Sequence, residues 1–340
     1  MMRNNVEMNV IVTGSAGFIG SAITASFLES GLNVISLDSF TDYYSVGLKK
    51  VRSSMLDKKF GHKVFDIDIT DYNKVCQIFK KYKPELVVHL AAQAGVRLPI
   101  NQTYKYVDSN LKGFGNVLQA TVLDEVPNFF YASSSSVYGE RSSIPYAESE
   151  TKLEPKSFYG GTKLANEVLT KTLVANSKTS ARGARFFTVY GPWGRPDMAY
   201  FRIITSALNN SQFTLYGDGK IERDFTFIDD VIKFSRKLIK DLETREPGFN
   251  DLVNIGGGRP KSVEHMINSI ESILNCEIDI VRRNQNSNDV SVTSASGQYL
   301  NSIIGPHEYK LLDDGLRSTI EWASSEEIRF NLKSWAESTI

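Results

Sequence analysis

The chain has 340 residues, in which 39 Lys plus Arg balance 39 Asp plus Glu, and 41% of the residues are hydrophobic. This balance gives no basic surface for nucleic acid or an anionic membrane, and no apolar run approaches the roughly 18 residues that a membrane span requires. The two cysteines, Cys76 and Cys276, lie far apart and form no metal-binding motif, which favours a reducing cytoplasm and predicts neither a disulfide framework nor a metal site. We therefore expect a cytoplasmic globular protein of one large domain or two smaller ones, without nucleic-acid or membrane partners.

The first predicted elements lie in "NVIVTGSAGFIGSAITASFLESG". The pattern predicts a buried strand at 9–13, a glycine turn, and a helix that ends at Ser30 with Gly31 as its cap. The turn has a G-x-x-G-x-x-G spacing, made by Gly14, Gly17 and Gly20. Such glycines let the backbone approach a pyrophosphate closely, and the helix N-terminus offers free N–H groups to its charge. Glycines also occur in empty turns, so this motif alone is weak.

The next segment, "NVISLD", predicts a second strand that ends at Asp38. An acidic residue at about this distance beyond the glycines binds the adenosine ribose hydroxyls of a dinucleotide. A carboxylate there would repel a 2′-phosphate, which favours NAD over NADP. The alternative is that Asp38 only forms the turn after the strand.

Further strands are predicted at 63–68, 85–92, 128–133, 184–191 and 252–256. Because helical patterns separate most of them, the fold class is α/β, with a doubly wound parallel sheet. Ligands of such sheets lie beyond the carboxyl ends of the strands. Asp68 and Ile69 lie at the end of the strand predicted at 63–68 and are assigned to the adenine end of the cofactor. Ala91 and Ala92 lie at the end of the strand predicted at 85–92, where small residues either admit a flat cofactor or let a helix pack.

The stretch "SFYGGTK" places Tyr159 and Lys163 four residues apart. A helix is predicted from about residue 160 because an apolar stripe follows, consisting of Leu164, Val168, Leu169 and Leu173. On one helical face a fixed ammonium would favour the phenolate and lower the pKa of the tyrosine, which would make it a base near neutral pH. A second Tyr-x-x-x-Lys, at Tyr216 and Lys220, lies in a glycine-rich turn and lacks this geometry. The alternative for Tyr159 and Lys163 is an ordinary surface pair.

From about residue 8 to residue 300 the sequence resembles the extended short-chain dehydrogenase/reductase superfamily, and within it the NAD-dependent nucleotide-sugar epimerases. The motifs occur in order: "TGSAGFIG", "HLAAQAGVR", "SSSSVYG", "YGGTK", "RFFTVYGPWGRPDM", "RDFTFIDD" and "NIGGG". The wording of "AAQAGVR" and "FFTVYGPWGRPDM" is typical of the UDP-glucuronate 4-epimerases. The resemblance implies a Rossmann-type fold with a smaller C-terminal α/β substrate lobe, NAD as cofactor and a UDP-sugar as substrate. It also implies a homodimer formed through the helix at 103–124 and the helix after Lys163.

The resemblance assigns roles to several residues. Tyr159 would be the general base, Lys163 would hold the nicotinamide ribose and lower the tyrosine pKa, and Ser134 would hydrogen-bond the reacting sugar oxygen. Phe18 and Ile19 would bind the cofactor together with the glycines around them. Asn110 would have a structural role beside the site, and His89, inside an apolar strand, is interpreted as a core histidine.

Ser135 and Ser136 discriminate between reactions. Related 4,6-dehydratases carry Asp and Glu directly after the hydroxyl residue, and UDP-glucuronate decarboxylases tend to carry a Glu just before "VYG". Serines at these positions disfavour dehydration and decarboxylation, which need a further acid or base. The remaining chemistry moves a hydride from C4 to NAD, turns the ketone over, and returns the hydride to its other face.

Beyond Tyr190 the sequence is broken by glycine and proline, and we assign a substrate lobe to 191–224 and 257–340. The NAD-binding domain is assigned to 1–190 with a return segment at 225–256. By the resemblance, Arg223 would bind the diphosphate, or else pair with Glu222 or Asp224. Thr188 and Arg195 match positions that contact a uronic acid, whose carboxylate a guanidinium binds as a fork. Arg97 is a second candidate, although either arginine could instead cap the lobe.

The chain departs from the family in "RRNQNSNDVSVTSASGQ", where Asn288 replaces a glycine and Ser296 an aspartate. Arg282 or Arg283 is the candidate diphosphate ligand of this segment. Three alternatives to a UDP-glucuronate epimerase remain: the same chemistry on UDP-glucose or UDP-N-acetylglucosamine, a decarboxylase or dehydratase, and a non-catalytic NAD-sensing module. A sensing module would not need Tyr159, Lys163 and Ser134.

Overall fold

The structure is a computed structural model that describes residues 8–140, 143–284 and 290–338. The strands in chain order are β1 (Asn9–Thr13), β2 (Asn33–Asp38), β3 (Val64–Asp66), β4 (Leu86–His89), β5 (Asn128–Ser134), β6 (Ser180–Phe186), β7 (Thr188–Tyr190), β8 (Phe213–Tyr216), β9 (Glu222–Arg223), β10 (Phe225–Phe227), β11 (Asn250–Ile255), β12 (Lys261–Ser262) and β13 (Ile280–Arg283). The α-helices are α1 (Phe18–Glu29), α2 (Val46–Phe60), α3 (Tyr72–Tyr82), α4 (Tyr104–Tyr106), α5 (Phe114–Leu123), α6 (Phe158–Val174), α7 (Ala199–Leu208), α8 (Ile228–Leu242), α9 (Val263–Leu274), α10 (Gln298–Ile304), α11 (Leu312–Ser324) and α12 (Glu326–Glu337).

Seven strands form one sheet in the order β11–β6–β5–β4–β1–β2–β3, and every neighbouring pair is parallel. The chain leaves the centre of the sheet at β1, adds β2 and β3 on one side, and returns to β4 on the other side of β1. This reversal opens a crevice at the carboxyl ends of β1 and β4, where doubly wound sheets bind dinucleotides. The predicted Rossmann-type doubly wound sheet is confirmed.

The core lies on both faces of this sheet. Successive strand residues point to opposite faces, so Val10 and Val12 join one apolar cluster and Ile11 joins the other. The first cluster includes Phe27 of α1, and the second includes Phe79 of α3. Helices therefore cover both faces and leave only the strand ends open to a ligand.

Some strand boundaries differ from the prediction. The strand predicted at 184–191 is two strands, because β6 begins at Ser180 and the chain leaves the main sheet at Phe187. The N–H of Phe187 still donates to the carbonyl of Ile255, whereas the N–H of Thr188 donates to the carbonyl of Asp224. The pairing of β7 with β10, which lies much later in the chain, therefore determines where β6 ends and β7 begins. The strand predicted at 85–92 ends at His89.

The smaller α/β part is built on three two-stranded sheets. β7 pairs with β10 and β8 with β13, both parallel, and β9 pairs with β12 antiparallel. Helices α7, α9, α11 and α12 pack around them. This arrangement confirms the predicted smaller lobe of mixed strands and helices.

The helix that connects β4 to β5 is not uniform. Its middle, Val107–Gly113, is π-helical and joins α4 to α5 without interruption. Asn110 lies there, accepts the N–H of Gln93 at 2.8 Å and donates to Thr162 Oγ1 at 3.1 Å. It therefore has the structural role that was predicted for it.

Helix α6 buries a polar face. Lys163, Asn166 and Glu167 point inward, whereas Val168 and Leu169 of the predicted apolar stripe are 58% and 45% exposed. The stripe correctly indicated a helix, but of its members only Leu164 packs against a buried apolar cluster, and Val168, Leu169 and Leu173 are exposed. Within the described ranges, no helix is long and apolar enough to cross a bilayer.

Candidate active site

A cavity of about 960 Å³ lies at the carboxyl ends of the main-sheet strands and extends to the smaller lobe. Its lining includes the residues that the sequence assigned to the site, apart from the alternative diphosphate ligands Arg282 and Arg283. Those in the lining are Gly14, Gly17, Phe18, Ile19, Gly20, Asp38, Asp68, Ile69, Ala91, Ala92, Arg97, Ser134, Ser135, Ser136, Tyr159, Lys163, Thr188, Arg195 and Arg223. The fold thus brings together residues that lie up to about 200 positions apart in the sequence.

The glycine turn between β1 and α1 forms one wall of the cavity. Gly14 has φ of +70°, and a Cβ there would lie 2.7 Å from the backbone nitrogen of Ala91. A Cβ on Gly20 would lie 1.9 Å from the carbonyl oxygen of Gly14. Side chains at these positions would break the turn, so the glycines are required by the close backbone packing at the start of α1.

Asp38 is buried at the end of β2. Its Oδ2 accepts the N–H of Ala16 at 2.9 Å, and its Oδ1 accepts the N–H of Phe40 at 2.8 Å. Asp38 therefore does stabilise the turn after the strand, as the alternative interpretation predicted. Each oxygen keeps acceptor capacity for a ribose hydroxyl, because an ionised carboxylate has about four acceptor sites.

Tyr159 and Lys163 begin α6, which Ser157 caps by accepting the N–H of Gly160 at 3.0 Å. Ser134 lies near the Tyr159 phenol, and its Oγ donates to Ser136 Oγ at 3.1 Å and accepts the N–H of Ser136 at 3.2 Å. Lys163 Nζ donates to the carbonyl of Ala132 at 2.8 Å and lies 5.8 Å from the centre of the Tyr159 ring. The phenol, the serine hydroxyl and the ammonium therefore share one corner of the cavity.

The expected lowering of the Tyr159 pKa by Lys163 is not found. Burial raises the pKa of Tyr159 above its ordinary value, and the charge of Arg195 and the nearby hydroxyl of Ser134 oppose that rise. Burial also lowers the pKa of Lys163 to about 8, while the negative charge of Glu167 limits the fall. Arg195 is thus a protein cation that favours the phenolate although it comes from a different element.

A buried polar network lies next to the corner formed by Tyr159, Ser134 and Lys163. Arg185 donates to both carboxylate oxygens of Glu167, at 2.9 and 2.8 Å, and to the hydroxyl of Tyr138 at 2.9 Å. Ser133, next to Ser134, donates to the same carboxylate. Glu167 lies one helical turn beyond Lys163, so its ion pair with Arg185 ties α6 to β6 and its hydrogen bond with Ser133 ties α6 to β5.

At the substrate end, Arg195 is paired with Asp197 through Nε and Nη2, and the Nε distance is 3.0 Å. Tyr43 donates to the same carboxylate at 3.3 Å. The Nη1 group of Arg195 makes no hydrogen bond within the part of the chain that the structure describes. One edge of the guanidinium is therefore held and the other remains for an anion in the cavity.

Arg223 donates to the backbone carbonyls of Glu222 and Val290, at 2.9 and 2.8 Å. Asp224, by contrast, is fully buried and accepts the N–H groups of Gly257, Gly258 and Ala295. The carboxylate beside Arg223 thus fixes two loops behind the cavity, while Arg223 itself lines the cavity.

Other residues of the sequence interpretation lie elsewhere. Arg282 and Arg283 are exposed on β13, outside the lining of the cavity described above, and Arg282 donates to the carbonyl of Asp218. They are not placed to contact a diphosphate there. Asn288 lies outside the described residues. Ser296 is buried, and its N–H donates to the carbonyl of Tyr146.

His89 is a core residue, as predicted. Burial lowers the pKa of His89 to about 3, so the ring is neutral, and Nδ1 lies 2.8 Å from Thr13 Oγ1. Its Nε2 has no hydrogen-bond partner among the described residues, so the ring is only half satisfied.

The sequence interpretation missed several residues that line or support the cavity. Tyr43, Asp197 and Arg202 line it, and Arg52 lies behind it. Arg52 had a detectable signal, because Leu48, Arg52 and Leu56 follow one another at the four-residue spacing of an inward helical face. A charged residue in such a stripe indicates a buried polar contact.

Known proteins similar to this chain match almost its whole length. Protein CapI of Staphylococcus aureus is 35% identical, over 93% of this chain and 98% of its own length. UDP-glucuronate 4-epimerase 4 of Arabidopsis thaliana is 34% identical, over 94% of this chain and 76% of its own length. The structure of UDP-glucuronic acid 4-epimerase from Bacillus cereus in complex with UDP-glucuronic acid and NAD is 30% identical, has a TM-score of 0.85, and covers 93% of this chain and 98% of that one. Since the model of the NAD dependent epimerase/dehydratase family also matches residues 10–256, this chain belongs to that family.

Proposed function

We propose that the protein is an NAD-dependent epimerase that interconverts UDP-glucuronate and UDP-galacturonate at C4. One observation carries this proposal: Tyr159, Ser134 and Lys163 meet in the same cavity as the half-paired Arg195. A phenol and a hydroxyl can exchange a proton with a sugar oxygen, and a guanidinium can bind a sugar carboxylate. The relatives named as UDP-glucuronate 4-epimerases support the same substrate.

The glycine turn, Asp38 and the small residues Ala91 and Ala92 would hold NAD. The turn fits a dinucleotide because its backbone leaves no room for side chains at Gly14 and Gly20. When bound, NAD supplies the hydride acceptor for C4. Lys163 would hold the nicotinamide ribose hydroxyls, since its ammonium lies at the same wall.

Tyr159 would accept the proton of the C4 hydroxyl and return it at the end of the cycle. Ser134, which lines the same cavity, would orient the C4 oxygen in both its alcohol and its ketone states, because a hydroxyl can donate or accept. The positive charge of Arg195 favours the phenolate that this transfer requires.

Arg195 and Thr188 would bind the uronate carboxylate, and Arg223 would bind the diphosphate, with Arg97 as a further cation on the same wall. The 4-ketouronate is a β-keto acid that can lose carbon dioxide. Anchoring the carboxylate therefore governs which product forms as well as how tightly the substrate binds. UDP-glucose and UDP-N-acetylglucosamine lack this carboxylate and would leave Arg195 without its ligand.

Dehydration and decarboxylation are disfavoured by Ser135 and Ser136, which line the cavity where those reactions need carboxylates. A sensing module without catalysis would not need Tyr159, Ser134 and Lys163 together in one corner. The assembled corner therefore favours an enzyme over a binding module.

The test is to incubate the protein with UDP-glucuronate, with and without added NAD, and to follow the anomeric proton signals by NMR. We expect UDP-galacturonate to appear until equilibrium is reached. A UDP-pentose as the product would contradict the inference from Ser135 and Ser136. Turnover of UDP-glucose or UDP-N-acetylglucosamine alone would contradict the role of Arg195.

We further propose the division of the chain made above, in which 1–190 and 225–256 bind NAD and 191–224 and 257–340 bind the nucleotide sugar. The pairing of β11 with β6 in the main sheet supports the return segment. We also propose a cytoplasmic location, which is supported by the free thiols of Cys76 and Cys276.

We propose that the protein is a homodimer whose contact is made by the helix at 103–124 and α6. Their outer faces expose large apolar side chains, among them Leu123 (63%), Val168 (58%) and Leu169 (45%). Adjacent exposed apolar side chains of this kind mark interaction surfaces.

Val168→Asp is therefore expected to convert the dimer into a monomer, because a carboxylate would be buried in an apolar contact. Size-exclusion chromatography with light scattering measures the mass of each form. Phe330→Asp is the matched control, since Phe330 is an 89% exposed apolar residue on the distant helix α12. A wild-type monomer, or a Val168→Asp dimer, would contradict the proposal.

A further inference from the structure

Arg52 is a buried cation that binds backbone oxygens instead of an acid. Its side chain is on α2, and the residue is 2% exposed. Nε and Nη2 donate to the carbonyl of Trp193 at 3.0 and 2.6 Å, and Nη2 also donates to the carbonyl of Gly194 at 2.8 Å. Nη1 donates to the carbonyl of Ala16 at 3.2 Å and to the hydroxyl of Tyr44 at 2.8 Å. In the described ranges it forms no ion pair with a carboxylate. Its contacts therefore hold backbone groups in position and do not neutralise an acid.

These contacts join two loops that serve different ligands. Ala16 lies in the glycine turn. Arg52 binds the carbonyl of Ala16, and the N–H of the same residue donates to Asp38. Trp193 and Gly194 directly precede Arg195 in the chain. Arg52 is thus the one residue whose donors reach both the glycine turn and the loop that carries Arg195, among the side chains described.

The loop before Arg195 has a backbone that needs such support. Trp193 has φ of +61°, a left-handed conformation that is unfavourable for a non-glycine residue. Two of the donors of Arg52 converge on the carbonyl of that residue. A Cβ on Gly194 would collide with the hydroxyl of Tyr200, so a glycine is required at the next position of the loop. The path of the loop is therefore fixed by Arg52 on one side and Tyr200 on the other.

We propose that Arg52 is a positioning residue for uronate recognition, which holds Arg195 in register with the glycine turn that binds NAD. The proposal rests on the proposed function of Arg195. A lysine at position 52 would retain the charge but not the planar set of donors that spans three carbonyls and a hydroxyl. Arg195 would then keep its pairing with Asp197 while the whole loop shifted relative to the cofactor.

The test compares two ligands that differ only in the glucuronosyl group. Calorimetry on the NAD-loaded protein gives dissociation constants for UDP-glucuronate and for UDP, and steady-state kinetics give kcat and KM. We expect Arg52→Lys to weaken UDP-glucuronate binding by roughly 10- to 100-fold, the range for loss of a well-placed hydrogen bond to a charged group, and to leave UDP binding within about 2-fold. KM should rise with the dissociation constant, and kcat should fall as well because C4 is misplaced. Tyr44→Phe keeps Arg52 but removes one of its acceptors. It should also weaken UDP-glucuronate binding more than UDP binding, but by a smaller factor.

Arg236→Lys is the matched control. Arg236 is a half-buried arginine on α8 that also donates to a backbone carbonyl, that of Ser26 in α1, far from Arg195. We expect that variant to change neither dissociation constant. The inference would be overturned if Arg52→Lys weakened the binding of UDP and of UDP-glucuronate equally. It would also be overturned if neither Arg52→Lys nor Tyr44→Phe changed the ratio of the two dissociation constants. Wild-type protein that binds UDP-glucuronate no more tightly than UDP would instead overturn the proposed substrate, and the inference with it.

Discussion

Replacing Tyr159 with phenylalanine is expected to reduce kcat for UDP-glucuronate epimerisation by about 10²- to 10⁴-fold, the usual contribution of a positioned acid–base group. The variant removes the oxygen that would exchange the proton of the C4 hydroxyl. It keeps the ring, whose centroid lies 6.1 Å from that of Tyr106, so the cavity should retain its shape. NAD and UDP-glucuronate should therefore bind with nearly unchanged affinity.

The measurement is the initial rate of UDP-galacturonate formation by NMR, with calorimetric affinities for both ligands. Tyr216→Phe is the matched control, because Tyr216 belongs to the second Tyr-x-x-x-Lys and lines the far end of the same cavity. Its kcat should stay close to that of the wild type. A Tyr159→Phe variant with nearly wild-type kcat would mean that another group exchanges the proton.

Replacing Glu167 with glutamine is expected to lower the free energy of unfolding by about 3–5 kcal/mol, because it leaves the guanidinium of Arg185 buried without its counter-charge. The two residues are 5% and 1% exposed. The variant also removes the negative charge that keeps the pKa of Lys163 from falling further, so activity near pH 8 should decline as Lys163 loses its proton.

Urea unfolding followed by circular dichroism gives the difference in free energy. Glu125→Gln is the control, because Glu125 pairs with Lys178 at the surface, and exposed pairs contribute about 0 to 1 kcal/mol. The double variant Glu167→Gln, Arg185→Met removes both charges and should recover part of the lost stability. If Glu167→Gln costs no more than Glu125→Gln, the network does not support the active site energetically.

The sheet and the glycine turn could be predicted because their signals are local. Buried strands, glycines at fixed spacing and the acid at Asp38 are all read from short segments. The break at Phe187 could not be predicted in this way, because it depends on pairing with residues almost 40 positions further along the chain. A short sequence segment does not reveal which distant residues it will pair with.

The site residues were brought together as the motifs suggested, but their electrostatics were not predictable. Spacing placed Lys163 beside Tyr159, yet burial raises the pKa of the phenol, and Arg195 is the cation that opposes it. Burial is a property of the folded chain, and Arg195 comes from another element. Arg282 and Arg283 were selected because the family has a substrate arginine upstream of this segment, but the strand β13 places them outside the cavity.

The π-helical segment between α4 and α5 has a consequence for how this helix is aligned with relatives. In an α-helix, residues spaced by four drift around the axis by about 40° at each step, because 3.6 residues complete a turn. Tyr106, Asn110 and Phe114 keep that spacing and are all buried, since the wider turns cancel the drift. Deleting a single residue from Val107–Gly113 would restore the narrower turn and rotate the two halves of the helix against each other. A one-residue gap in this segment would therefore indicate a relative that has lost the bond between Asn110 and Gln93, however similar its motifs.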